Sequence, residues 1–279
     1  MLRHTFCHIP GVGRKTEAAL WNAGILSWDD VLHGHVEVLS PRRTPTLRRH
    51  VEESLDALDR QDVDYFYRRL PTGEHWRLFA DFRHLIAYLD IETTGMGGPD
   101  DYVTVIGVYD GRRLHHYVQG ENMVQFAPDM ASFGLLVTYN GKCFDLPFIR
   151  TFMNVELTQP HIDLMFVLRA LGYTGGLKGC EHQLGIDRGG LEGVDGYFAV
   201  LLWNEYLHRG ETAALETLLA YNSQDVVNLE NLMVQAYNLK LRGTPVAQSH
   251  QLPDPAPAKV RHRPDDALIR RIRHQLGWI

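Results

Sequence analysis

Cysteine is scarce in this chain: Cys7, Cys143 and Cys180 are spread over 279 residues with no C-x-x-C pair. That excludes a disulfide framework and a cysteine-based structural zinc site, and all three are expected to be free thiols. Histidine is plentiful, but His115-His116 and Cys180-x-His182 lack the spacing of a zinc site. No uninterrupted apolar run approaches the roughly 20 residues that cross a bilayer. The opening Met-Leu-Arg-His-Thr-Phe lacks the basic-then-apolar plan of a signal peptide, so a cytoplasmic protein without a membrane partner is expected. Positive charge is also in short supply. A formal net charge of −6 argues against a protein that coats nucleic acid nonspecifically, because that affinity comes from cations displacing counterions. An enzyme meeting only a strand end needs less.

With 44% apolar residues, the chain can bury one large core, or a core and a small satellite. Residues 1–82 read as short helices: Arg14 to Ala23, Ser27 capping the stretch from Trp28, Thr46 to Leu70, and Glu74 to Phe82. From Leu85 the pattern changes to short apolar strands, Leu85 to Ile91, Val103 to Tyr109 and Leu114 to Val118, parted by turns in hairpin style. A helix near Met123 to Ser132, a strand Leu135 to Tyr139, and then helices to about Leu241 follow, one of them carrying Ala213 to Asn238. This order predicts an α/β fold, a mixed sheet with a three-stranded antiparallel meander and flanking helices, over 83–241. Prolines 245, 253, 255, 257 and 264 mark 242–264 as an extended linker. A terminal helix with Leu268, Ile272, Leu276 and Ile279 on one face completes a third segment, 242–279.

Three motifs carry chemistry. In Asp90-Ile91-Glu92-Thr93-Thr94-Gly95, strand alternation puts Asp90 and Glu92 on one face with Ile91 behind them. Two carboxylates so close are costly unless a cation sits between them, and hard oxygen ligands suit Mg²⁺ or Mn²⁺. Asn140-Gly141-Lys142-Cys143-Phe144-Asp145-Leu146-Pro147 joins a strand end to a helix start, where Asp145 is either a helix N-cap or a further carboxylate ligand. Tyr221 and Asp225, four apart on the long helix, share a face.

Taken together and in this order, the motifs resemble the DEDD exonucleases of the DnaQ-like, RNase H-like superfamily, whose signatures are D-x-E, N-x(2,3)-[FY]-D and a final Asp. Tyr221, with Ala at 220, matches the Y-x(3)-D class rather than the H-x(4)-D class. The chain also resembles bacterial YprB-type proteins, which similarly begin with a Pro-Gly-Val-Gly-like hairpin and a Trp-containing helical region. The nuclease resemblance covers about 84–240. It implies that Asp90, Glu92 and Asp225 hold one Mg²⁺ or Mn²⁺ and Asp90 with Asp145 a second, while Tyr221 orients the attacking water. Stepwise 3′-to-5′ release of nucleoside 5′-monophosphates follows from the same resemblance. Thr93, Thr94 and Gly95 would approach the terminal nucleotide, or are ordinary turn residues. Asn140 and Phe144 would meet the next nucleotide, or Phe144 is core. Lys142 would neutralise a phosphate, or is an exposed turn lysine.

Ile9-Pro10-Gly11-Val12-Gly13-Arg14-Lys15 with Ala18-Ala19-Leu20 and Gly24-Ile25 resembles the hairpin and second helix of a helix-hairpin-helix element, with too few residues before it for a full first helix. It is open to two readings, a DNA contact or a tight turn packing Trp21 and Trp28. The run Arg42, Arg43, Arg48 and Arg49 reads as a solvated helix face. From residue 259 onward six cations face two anions, which makes the tail a candidate contact for nucleic acid, or for a helicase or other repair protein; docking on the nuclease core and a loosely packed tail are the alternatives. The hairpin tilts the expected substrate toward DNA over RNA. An RNA-trimming enzyme and a catalytically silent binding or helicase-recruiting module are the rivals.

Overall fold

Runs of β-branched and aromatic residues build one five-stranded mixed sheet, in the order β3-β2-β1-β4-β5. The computed structural model describes residues 1–34, 40, 43–188, 191 and 194–278, which leaves the expected roles of Arg42 and Ile279 outside the described residues. Strands β1 (Ile86–Thr93), β2 (Val103–Tyr109) and β3 (Leu114–Val118) form the antiparallel meander that the turn-punctuated pattern predicts. Strands β4 (Leu135–Thr138) and β5 (His161–Asp163) continue the sheet parallel to β1. The sequence pattern expects only helices beyond Tyr139. β5 has three residues, all buried, too short to display any alternation.

Helices cover both faces of the sheet. In chain order they are α1 (Arg14–Asn22), α2 (Trp28–His33), α3 (Thr44–Asp59), α4 (Val63–Arg69), α5 (Leu78–Phe82) and α6 (Phe126–Met130). The remainder are α7 (Asp145–Met153), α8 (Leu164–Arg169), α9 (Gly176–Gln183), α10 (Gly196–Arg209), α11 (Thr212–Leu241) and α12 (Asp266–Gln275). The single helix expected over Thr46 to Leu70 is two. Gln61 takes a left-handed φ of 56°, and the Asp62 side chain accepts from the Tyr65 amide to cap a new helix. The stretch from Glu74 to Phe82 is likewise divided into a 3-10 turn over Thr72–Arg77 and then α5.

Alternation along β1 separates two cores. Ala87, Leu89 and Ile91 face Phe126, Met130 and Ile149 of α6 and α7, whereas Ile86 and Tyr88 face the C-terminal half of α11. The latter core is continuous with the first 82 residues: Phe6, Leu20, Trp28, Phe66 and Phe79 pack in the same cluster as Tyr88 and Tyr237. A buried polar hub anchors this junction. Glu17 accepts from the amides of Phe6 and Cys7 and from the Arg77 guanidinium, which also pairs with Glu74. The hairpin turn has Gly11 at φ 80° and leads directly into α1; Arg43 donates to the Gly11 carbonyl, and the Trp21 and Trp28 indoles donate to His4 and Thr5. Only one 3-10 turn, Leu2–His4, stands where a first helix would be.

The proline-rich stretch is laid along the body. Val246 is buried, and the Asn238 side chain exchanges two hydrogen bonds with the Leu252 backbone. α12 then buries Leu268, Ile269 and Ile272 in one cluster with Phe198, Trp203, Leu218 and Tyr221. Its apolar face is thus occupied by α10 and α11. The three cysteines are free, and no described helix is long and apolar enough to cross a membrane.

Candidate metal centre

Asp90 and Glu92 leave β1 on the side that faces α11, as the two-residue period requires. Tyr221 and Asp225 come down from α11 one turn apart. One carboxylate oxygen from each of Asp90, Glu92 and Asp225 lies within 4.8 Å of the others. Asp145 joins from the first turn of α7 and lines the same cavity, of about 620 Å³. It does not cap α7. Its Oδ1 accepts from the Ile91 amide at 3.2 Å, so the carboxylate is turned onto the β1 backbone at the residue between Asp90 and Glu92.

Burial dominates the electrostatics. Glu92, Asp145 and Asp225 are buried and Asp90 is half-buried at the cavity wall. Desolvation pushes the Asp90 carboxyl well above its ordinary range, and Glu92, Asp225 and Asp145 add repulsion. Glu92 is raised by burial and then by Asp225, and burial lifts Asp145 to about 7. The Tyr221 hydroxyl is driven far up by burial and the same carboxylates, so it stays protonated and able to donate. Hard oxygen donors from Asp90, Glu92 and Asp225, with Asp145 lining the same cavity, would suit Mg²⁺ or Mn²⁺.

The expected substrate residues divide. Thr93, Thr94, Gly95, Asn140 and Phe144 all line the cavity of the carboxylates. The Thr93 hydroxyl donates to the Gly95 carbonyl, and Thr94 donates to Asp101, so both hydroxyls also hold the turn after β1. Gly95 is needed there, because a Cβ would stand 2.4 Å from the Asp101 carboxylate. Phe144 packs on Phe148 at 5.5 Å between ring centres as well as facing the cavity. Lys142 is not brought to this cavity; it lines a separate one, on the other side of the turn.

Several site residues escaped the sequence reading. Asn222 donates from Nδ2 to Asp90 Oδ2 at 3.0 Å, reaching across a gap left by Gly107, whose partner in register is Asp90. Arg188, buried in the loop after α9, pairs with both Asp225 and Glu181. Glu181 is in turn held by Asn228 of α11 at 2.7 Å. The Lys178 ammonium stands 5.0 Å from the centre of the Tyr221 ring. Asn222 lies inside the Tyr-to-Asp motif and was within reach of helical reasoning. Nothing local marks Arg188 or Lys178, because their roles arise from packing.

A central strand bearing two acids, flanked by an antiparallel meander and continued by parallel strands, with further acids on two helices, is an RNase H-like architecture. Comparison with known proteins agrees: residues 87–237 match the RNase H superfamily, and the chain belongs to it. The YprB protein of Bacillus subtilis is 30% identical over 171 residues, covering 53% of this chain and 40% of the relative, so the chain spans less than half of that protein. Among solved structures, NrnC of Brucella melitensis, determined with bound pGG, is similar at 20% identity and a TM-score of 0.29, over 63% of this chain and 93% of NrnC. A family B DNA polymerase from the archaeon Pyrobaculum calidifontis is similar at 16% identity and a TM-score of 0.44, over 58% of this chain and 26% of the polymerase.

Proposed function

We propose that this chain is a metal-dependent 3′-to-5′ exonuclease that hydrolyses the terminal phosphodiester bonds of DNA, in single strands or repair intermediates, and releases nucleoside 5′-monophosphates. The observation that carries the reading is the convergence of Asp90, Glu92 and Asp225, with Asp145 and Tyr221 in the same cavity. Asp90, Glu92 and Asp225 would hold one divalent cation, and Asp90 with Asp145 a second. Bound there, the pair would supply Lewis-acid activation of water and neutralisation of charge on the departing 3′ oxygen.

The protein's own groups do the positioning. Tyr221, protonated and buried, offers its O–H to align the attacking water. Asn222 fixes the Asp90 carboxylate, and Arg188 fixes that of Asp225. Asn140 and Phe144, which line the cavity, would meet the strand at its wall, since aromatic faces grip bases without regard to sequence.

End-labelled single- and double-stranded DNA and RNA, incubated with Mg²⁺, Mn²⁺ or chelator, test the proposal. Stepwise shortening from the 3′ end is expected with metal, abolished by Asp90→Ala and by Asp225→Ala. Tyr221→Phe should slow it about a hundredfold, the low end of what a positioned proton donor contributes. Shortening that survives either carboxylate substitution refutes the site. Wild type inert on every substrate would favour the recruiting module, and preferential trimming of RNA would move the substrate class.

A further inference from the structure

A second cavity, of about 470 Å³, opens at the carboxyl end of β5 on the far side of the turn that follows β4. Its size suits a ligand such as a nucleotide. Three cations converge on it from distant parts of the chain: Arg14 from the start of α1, Lys142 from the turn after β4 and Lys240 from the last turn of α11. Arg14 is paired with Glu74. Neither lysine ammonium pairs with a carboxylate among the described residues.

Among the described residues of the wall the one acid is Asp163, and it is engaged by the backbone. Its carboxylate accepts the backbone amides of Asn140 at 2.8 Å, Lys142 at 3.1 Å and Met165 at 3.1 Å. The histidines of the wall add no charge: burial, aided by Lys142, lowers His75 to about 4 and His161 to about 3. Crowding of cations shows at Lys240, whose ammonium is lowered by burial and then by Arg14 and Arg77. Beside them Phe166 of α8 is 45% exposed at the cavity, although it is a large apolar side chain. Unpaired cations next to an open aromatic face are the two features by which a single strand is held without sequence preference.

The two cavities share a wall. Asn140 lines the carboxylate cavity and Lys142 lines this one. Their Cα atoms, two residues apart, can be separated by no more than about 7.6 Å. We propose that this second cavity is a nucleotide subsite for the strand upstream of the cleaved end, Lys142 and Lys240 taking a phosphate and Phe166 stacking on a base. It rests on the exonuclease reading for its direction, not for its chemistry: the ligand is a phosphodiester-linked nucleotide of single-stranded DNA or RNA.

Binding in chelator separates this proposal from the activity. Fluorescence anisotropy with labelled DNA and RNA strands of about eight nucleotides, over a range of salt, compares wild type with Lys240→Gln and Phe166→Ala. Lys240→Gln should weaken binding and reduce the slope of log affinity against log salt by about 0.7, one phosphate contact on a single strand. Phe166→Ala should weaken binding by about tenfold with the salt slope retained, as loss of one stack requires. Circular dichroism melts check that both variants are folded. Strand affinity and salt slope equal to wild type in both folded variants overturn the subsite. Displacement of the strand by inorganic phosphate as readily as by an unlabelled strand would make it an isolated phosphate site and overturn it too. Should wild type fail to shorten any strand with Mg²⁺ or Mn²⁺ while these binding effects appear, the subsite stands and the exonuclease reading falls.

Discussion

Asp90 and Asp225 are both acids of one cluster, yet they differ in what else holds them. Among the described residues the Asp90 carboxylate accepts from the neutral amide of Asn222, whereas Asp225 is the partner of the Arg188 guanidinium. In chelator near neutral pH, Asp90→Asn should therefore raise the melting temperature, because it removes repulsion and an amide oxygen still accepts from Asn222. Asp225→Asn should lower it, since stranding one partner of a buried ion pair costs about 3–5 kcal/mol. Differential scanning calorimetry with and without Mn²⁺ checks both signs; stabilisation by Mn²⁺ should shrink in each variant. At this scale strand and helix periods alone pair Asp90 with Glu92 and Tyr221 with Asp225, whereas Asp145 stays open between a helix cap and a ligand and joins the set only through the family resemblance. The sequence was silent about Arg188, which reaches Asp225 across 37 positions of chain. Lys142 shows the limit in reverse: its place in the motif suggested one cavity, and the turn held by Asp163 aims its side chain at another.

The element on which the site depends most is α11, and it can approach β2 only because Gly107 has no side chain. A Cβ there would lie 2.1 Å from Asn222 Oδ1 and 2.7 Å from Val226 Cγ2. Gly107→Ala should cost about 1–3 kcal/mol, the usual penalty for overfilling a packed contact. It should also impair activity, since α11 carries Tyr221, Asn222 and Asp225. Urea unfolding beside a strand-shortening assay measures the two effects; wild-type values in both would show that the contact relaxes freely. Elements were legible where their period ran long enough, as in the meander and α11. The break at Gln61 and the short β5 were not, because one left-handed residue and a three-residue strand leave no periodic trace.

Over the whole molecule, two sets of buried groups pull stability in opposite directions as pH changes. His8 and His161, with an ordinary value of 6.5, are lowered to about 3 by burial, so the unfolded chain takes up their protons first. Their effect is nil above about pH 6.5, and stability falls as pH drops from there toward 3. Asp90, Glu92 and Asp145 are raised above their ordinary values of 3.8, 4.5 and 3.8, so their contribution is complete below that range and is lost as pH rises through the folded values, about 7 for Asp145. Of these two sets, the carboxylates are the one that still acts just above pH 6.5. In chelator the melting temperature should go on declining as pH rises from 6.5 through about 7, and saturating Mn²⁺ should abolish the decline. A flat profile in chelator would mean that the acids are not mutually strained.

Trp278, three residues after the end of α12, has its ring centre 6.4 Å from that of Tyr197, and Tyr197 lines the carboxylate cavity. Through that ring contact, and through the burial of Leu268, Ile269 and Ile272 beside Tyr221, α12 braces one rim of the acidic cavity, so loosening α12 would be felt at Asp225 far away in sequence.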